Sequence, residues 1–284
     1  MTRLIGLIDG SGYAQSVCDH AAWVAGRTDA SVEVVHVLGR RDVSSNVIDF
    51  SGGLNIDVRG TFLAEVANLD AQKAKLAYER GHLILEDAKA RLQDAGVADV
   101  AVSLRQGDLI DIAQSLEAEA DLILIGKRGE GADFARLHLG SNLERIVRAV
   151  SKPVLVASRA FRPVSRFLIA FDGGPSAMKA VSHIAAGSLF AGLACRILSV
   201  GPETDEGRLG LERAASVLRD RGYDVTADIV AGQPETAISR MVETEGIDLL
   251  VMGAYGHSRI RRLIIGSTTA EMIRSCLIPV MLFR

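Results

Sequence analysis

The chain has 284 residues, 48% of them apolar and 24% charged, and carries a net charge of −3. That length suits one large domain or two ordinary ones with ample core, and the charge gives no reason to expect nucleic acid or an anionic membrane as partner. Met1 leads into a strand-like run rather than a basic, then long apolar leader, no stretch of about 18 apolar residues follows, and Cys18, Cys195 and Cys276 are odd in number and isolated, so the expectation is a cytoplasmic protein with reduced core thiols.

The first strand is expected over Leu4–Ile8, ending at Asp9-Gly-Ser-Gly12. Helical spacing then runs from Ala14 to Gly26, and a β-branched run from Val32 to Leu38 forms the second strand, mostly apolar as a strand covered on both faces should be. Residues 40–69 are less regular, and a long helix is expected from about Ala71 to Ala95. Val100–Leu104 is the third strand, Asp108 caps a helix to about Glu119, Asp121–Ile125 is the fourth strand, and Pro153–Ala157 the fifth.

After a short linker, Arg159–Val164, the order restarts. Phe167–Phe171 ends at Asp172-Gly-Gly-Pro-Ser176, and helices and strands then alternate to Val280–Phe283. The chain is therefore an internal duplication, with units expected at 1–159 and 164–284. Asp9 to Asp172 is 163 residues but Gly126 to Gly253 is 127, so the first unit holds 36 extra residues (163 − 127), placed at about 40–75 after the second strand. Strands alternating with crossover helices predict two tandem doubly wound parallel five-stranded sheets with helices on both faces, a Rossmann-like α/β fold.

In such sheets ligands lie beyond the carboxyl ends of the strands, where strand order reverses. Both units place a glycine loop there. In the second, Leu249–Met252 precedes Gly253-Ala-Tyr-Gly256, and after nine residues come Gly266-Ser267-Thr268. In the first, Leu122–Ile125 precedes Gly126-Lys127-Arg128-Gly129, and after ten residues come Gly140-Ser141-Asn142. Glycine lets backbone amides approach an anion, and a helix N-terminus adds unpaired N–H groups. Ser267, Thr268 and Ser141 are candidates for phosphate contacts and equally for capping boxes with Glu271 and Glu144. Arg259, Arg261, Arg262, Lys127, Arg128 and Arg136 are available to offset phosphate charge, and His257 is more simply an exposed loop residue than a base.

This pattern (Gly, two residues, Gly, about nine residues, Gly-Ser/Thr) resembles the nucleotide loop of the universal stress protein family, and the resemblance extends over nearly the whole chain as two tandem domains. It implies ATP or another adenine nucleotide as ligand, with or without Mg2+, and a regulatory role in stress or growth arrest without established turnover chemistry. By the same resemblance Asp172 and Val200 lie by the adenine and ribose, as do Asp9 and Val37 in the first unit, and Gly173 and Met252 are further nucleotide-binding candidates. Family members commonly dimerise through the last strand. The duplicated chain offers Val154–Ala157 and Val280–Phe283 for such a pairing, giving an intrachain pseudo-dimer and leaving a homodimer open. The second loop has the family spacing and the first one residue more, so nucleotide is expected first in the second unit.

Alternatives remain open: a non-nucleotide interaction module, or a slow ATPase or self-phosphorylating protein acting on Ser267 or Thr268. Ser51-Gly-Gly-Leu-Asn-Ile-Asp57 is similar to the pyrophosphate loop of ATP-using ligases, but Asn55 and Ile56 replace its key aspartate and serine. No P-loop or complete dinucleotide fingerprint is present. The six histidines show no i,i+4 pairing or cysteine partner, so neither a metal site nor a catalytic residue is assigned.

Overall fold

A computed structural model describes residues 2–39, 42, 56–130, 141–254 and 266–284, with backbone alone for 56–62 and 141. The strands are β1 (Arg3–Ile8), β2 (Ser31–Leu38), β3 (Val100–Gln106), β4 (Leu122–Gly126), β5 (Val154–Ala157), β6 (Arg166–Ala170), β7 (Ala194–Val200), β8 (Val225–Val230), β9 (Leu249–Gly253) and β10 (Val280–Phe283). The helices are α1 (Ala14–Thr28), α2 (Ile56–Asp94), α3 (Leu109–Glu117), α4 (Ser141–Ala149), α5 (Pro175–Ala186), α6 (Asp205–Arg219), α7 (Pro234–Thr244) and α8 (Ser267–Ser275).

The strands form one sheet in the order β3-β2-β1-β4-β5-β10-β9-β6-β7-β8. Each half is parallel and repeats the same order outward from the middle, so the expected five-stranded sheets are present but not separate. They join where β5 and β10 pair antiparallel, Val280 opposite Val156 and Leu282 opposite Val154. Both strands are buried along their whole length, so their paired edges lie inside the molecule.

Strand alternation builds the two layers. Leu4 and Ile8 face a core shared with α1, α2, α5 and α6, while Ile5 and Leu7 face a second core with α3, α4, α7 and α8. Each core runs continuously across both halves, joining Leu124 to Phe167 on one face and Ile123 to Leu250 on the other. Polar contacts cross the same seam. The Arg27 guanidinium donates to the carbonyls of Leu189 and Ala191, and Ser188 Oγ donates to the Arg27 carbonyl at 3.0 Å.

Several boundaries differ from expectation. Helix α1 passes Gly26 and stops at Asp29, which takes the left-handed conformation (φ 51°). A glycine within a helix costs roughly 1 kcal/mol, which the packing of Val24 and Ala25 outweighs. Helix α2 begins at Ile56 rather than Ala71 and has 39 residues against 15 for its counterpart α6. Its C-terminal part packs through Leu85, Ala88 and Leu92 and is held to α1 by Arg91, whose Nε and Nη2 reach the two Asp19 oxygens at 2.7 and 2.8 Å. Gly81 permits the close approach to β2 and β3, since a Cβ there would lie 2.7 Å from Leu104 Cδ1 and 3.1 Å from His36 Cδ2. The three cysteines are free and buried, and burial pushes the Cys18 and Cys195 thiols up to about 12.

Candidate functional site

Strand order reverses between β1 and β4 in the first half and between β6 and β9 in the second. Asp9 and Asp172 follow the ends of β1 and β6, Val37 and Val200 lie at the ends of β2 and β7, and Gly126 and Gly253 end β4 and β9. Topology thus gathers these residues at one rim of each half-sheet, with Met252 buried just below. Gly140, Gly256, His257 and Arg259, with Arg136, Arg261 and Arg262, lie outside the described residues.

Close packing explains the first glycine of each loop. A Cβ on Gly126 would lie 2.6 Å from Tyr13 Cβ, and one on Gly253 would lie 3.0 Å from Ser176 Cβ. Tyr13 and Ser176 occupy equivalent positions, four residues after Asp9 and Asp172. Gly173 takes a φ of 74°, which favours glycine, and the Gly174 amide donates to Asp172 Oδ1 at 2.8 Å.

In the first half the loop lies against Asp9. Ser11 N donates to Asp9 Oδ1 and Glu130 N to Oδ2, each at 3.0 Å, so both carboxylate oxygens accept backbone amides. Gly129 allows this, because a Cβ there would come within 2.7 Å of Asp9 Oδ2. Ser11 Oγ reaches the Arg128 carbonyl at 3.4 Å. Arg80 of α2 forms an ion pair with Glu130, and the two side chains lie directly over Gly10. Tyr13 and Asn142 line the inner cleft. The wider opening is lined by Asp9, Asp42, Asp108, Asp111 and Glu130 against Arg80 and Arg145, an acidic rim among the described residues. Asp108 caps α3 as expected, accepting from Ile110 N at 2.8 Å. That amide and Arg145, 3.1 Å away, hold its carboxyl below the usual range.

Lys127 lines the inner cleft, and its ammonium donates to the Cys276 carbonyl at 2.8 Å, where α8 ends. Burial there lowers its pKa from 10.5 to about 8. One expectation is corrected: the capping box at Thr268 does not form. Helix α8 starts two residues earlier than that box requires, with Gly266 as its N-cap and no side-chain capping bond, and Glu271 pairs with Arg274 instead. The proposed box at Ser141 lies outside the described side chains.

The start of α8 therefore presents first-turn amides without a capping side chain. Gly266 N reaches the Ala254 carbonyl at 3.3 Å, closing the base of the loop, and Thr269 Oγ1 donates to the Gly253 carbonyl at 3.1 Å. Ser267 is exposed, and Thr268 Oγ1 donates to Glu235 Oε1 at 2.8 Å. Periodicity and motif spacing had pointed to the glycines and the strand ends. Tyr13, Arg80, Glu130 and Glu235 went unnoticed because each acts through a tertiary contact with no local signal; comparing the repeats position by position would have exposed Tyr13 against Ser176. Among the described residues no three His, Cys, Asp or Glu are grouped to hold a metal ion, and no helix is long and apolar enough to cross a membrane.

Comparison with known proteins agrees with this architecture. The universal stress protein family model matches residues 1–158 and 196–284. Universal stress protein Slr1230 of Synechocystis sp. is 38% identical over 287 aligned positions, covering 100% of both chains. A universal stress protein from Archaeoglobus fulgidus superposes with a TM-score of 0.71 at 20% identity, covering 99% of this chain and 96% of that one. One from Pseudomonas aeruginosa, described as putative, gives 0.61 at 15% identity over 100% and 93%. With both halves matched and the full-length relative aligned from end to end, the chain belongs to the universal stress protein family.

Proposed function

We propose that the second half binds an adenine nucleotide, ATP in the first instance, and that the protein acts as a regulatory nucleotide-binding member of its family. The observation that carries this is the Gly266-capped start of α8, which turns uncapped amides toward the rim where Asp172, Val200 and Gly253 converge. The adenine and ribose would lie by Asp172 and Val200 and the phosphates by Gly266, Ser267 and Thr268. Mg2+ would accompany the triphosphate as a charge-compensating ion.

The first half supports nucleotide less well. Both Asp9 carboxylate oxygens accept backbone amides, Tyr13 stands where the second half has Ser176, and the rim is acidic among the described residues. In the second half the positions of Asp108, Asp111 and Glu130 hold Gln233, Thr236 and His257. One nucleotide per chain is the expected stoichiometry.

The test is to identify nucleotide released on denaturation and to titrate ATP into nucleotide-free protein. Ser267→Glu puts a carboxylate where phosphate would lie while favouring the helix start, and Ser141→Glu does the same in the first half. Binding lost only in Ser267→Glu supports the reading; no binding of ATP by the wild-type protein at millimolar concentration refutes it.

One contact favours a second reading, self-phosphorylation. Glu235 is placed to take the Thr268 proton as the hydroxyl oxygen bonds to the terminal phosphorus and the bond to ADP breaks. Mass spectrometry after incubation with ATP, on wild type and Glu235→Gln, tests it.

A further inference from the structure

The wider opening of the first half is left with acceptors rather than donors. Its cations are spent on its own carboxylates, Arg80 on Glu130 and Arg145 on Asp108. The amides of Ser11 and Glu130 go to Asp9, that of Ile110 to Asp108 and that of Gly39 to Asp42. Asp9 and Asp42 form no ion pair among the described residues. The Asp111 carboxylate, exposed in the first turn of α3, has no partner there at all.

A buried group makes the requirement sharper. His36 of β2 is only 8% exposed yet lines the same opening. Its Nδ1 donates to the Ile8 carbonyl at 2.9 Å, which in the neutral ring leaves Nε2 as an acceptor. Among the described residues Nε2 has no hydrogen-bond partner, and the unpartnered side-chain atom sealed from solvent there is His20 Nε2 instead. His36 Nε2 therefore opens on the cleft, with the Cδ2 edge of the ring facing α2 at Gly81. The second half has none of this: Ser199 stands for His36, Gln233 for Asp108, Thr236 for Asp111 and His257 for Glu130.

We propose that the first half's opening binds a linear polyamine, one ammonium donating to His36 Nε2 beneath α2 and the others spread along Asp9, Asp42 and Asp111. Each contact is a charge-assisted hydrogen bond to an acceptor that the protein leaves free to take it. A single metal ion does not suit these groups, because no three His, Cys, Asp or Glu among the described residues converge to hold one. A flexible chain with separated charges does, and Leu76, Ala77 and Leu109 offer apolar wall to its methylenes. Phosphates would be repelled by the same carboxylates, so this site is independent of nucleotide in the second half.

Calorimetric titration of spermidine into the full chain, freed of nucleotide, tests this. One spermidine per chain should bind saturably, and magnesium chloride at the same ionic strength should not displace it. The His36 Nε2 resonance should move on addition of spermidine and stay in place on addition of ATP. Asp111→Lys, at an exposed position, should weaken binding at least several-fold. Thr236→Lys, the equivalent exposed change in the second half, adds the same charge to the chain and should leave binding as it is. Absence of saturable binding, displacement by magnesium, a His36 resonance moved by ATP and not by spermidine, or equal loss in the two lysine variants would each overturn the proposal.

Discussion

Lys127, the residue after the first glycine of one loop, holds the Cys276 carbonyl that ends the helix rising from the other loop, at 2.8 Å. The opposite seam has a matching contact: Arg284 Nη1 reaches the carbonyls of Arg148 and Val150 at 2.8 and 3.3 Å, at the end of α4. Each helix that begins at a glycine loop is thus closed at its far end by a cation from the other half. Cations stabilise helix C-termini by satisfying terminal carbonyls and by opposing the helix dipole. Lys127→Met and Arg284→Ala should each lower unfolding free energy by about 1 kcal/mol. The two contacts share no residue, so the double variant should show the sum in denaturant titrations.

The Lys127 contact also has a pH signature. Burial lowers its pKa to about 8 from an ordinary 10.5, so between those values the unfolded chain binds the proton more tightly than the folded one. Stability contributed by this group therefore rises as pH increases from about 8 to 10.5, and is lost again as pH falls through the folded value. The difference in unfolding free energy between wild type and Lys127→Met should shift toward wild type across that window. A difference flat with pH would mean that the ammonium is not desolvated.

How far these features were legible differs from residue to residue. The strand ends and loop glycines stood out because a buried parallel strand is a continuous apolar run and the duplication repeats every landmark. The start of α2 did not, because none of residues 63–70 is buried and so no continuous apolar face marks it. Lys127 read as a phosphate ligand on spacing alone, since its partner Cys276 is 149 residues away. The cap of α8 was misplaced by two residues because Thr268-Thr-Ala-Glu271 satisfies the capping pattern, yet Gly266 already occupies the extended position that a cap requires.

The asymmetry between the rims can be tested by reversal. Glu130 binds Asp9 through its amide and pairs with Arg80 over Gly10, while Tyr13 fills space that Ser176 leaves in the second half. Combining Tyr13→Ser with Glu130→Gly and Arg80→Ala removes the side chains that crowd Asp9. ATP stoichiometry should rise from one toward two per chain by calorimetry, with the first affinity unchanged. A triple variant that still binds one nucleotide would place the obstacle elsewhere, in the extra loop residue or the acidic rim.

His20 predicts acid sensitivity. The ring is wholly buried in α1, its Nδ1 lies 2.6 Å from the Ser16 carbonyl, and Nε2 has no hydrogen-bond partner. The Phe161 ring meets it edge-on, with centroids 5.1 Å apart. Burial lowers the pKa below 6.5, and the bond to the Ser16 carbonyl offsets this only in part. A depressed base favours the folded state while neutral, so its stability is complete above pH 6.5 and is lost as pH falls toward the folded value. Wild type should weaken on acidification from pH 7 to pH 5 more steeply than His20→Leu. Equal slopes would show that carboxylates alone set the acid limit.

The glycines at the loop entrances should differ in what they tolerate. A Cβ at Gly126 would lie 2.6 Å from Tyr13 Cβ, an atom fixed to the backbone at the start of α1, so relief requires moving the helix. At Gly253 the distance to Ser176 Cβ is 3.0 Å, which a few tenths of an ångström of adjustment accommodates. Gly126→Ala should cost about 3 kcal/mol and Gly253→Ala about 1 kcal/mol. The closest clash at Gly126 is with Tyr13 Cβ, the ring's Cγ lying farther off at 3.2 Å, so Tyr13→Ala should leave most of the penalty in place while Tyr13→Gly removes most of it. In a double-mutant cycle the coupling between positions 126 and 13 should therefore be large with glycine at 13 and near zero with alanine. Equal coupling for both would mean that the tyrosine ring, not the backbone approach, sets the need for glycine.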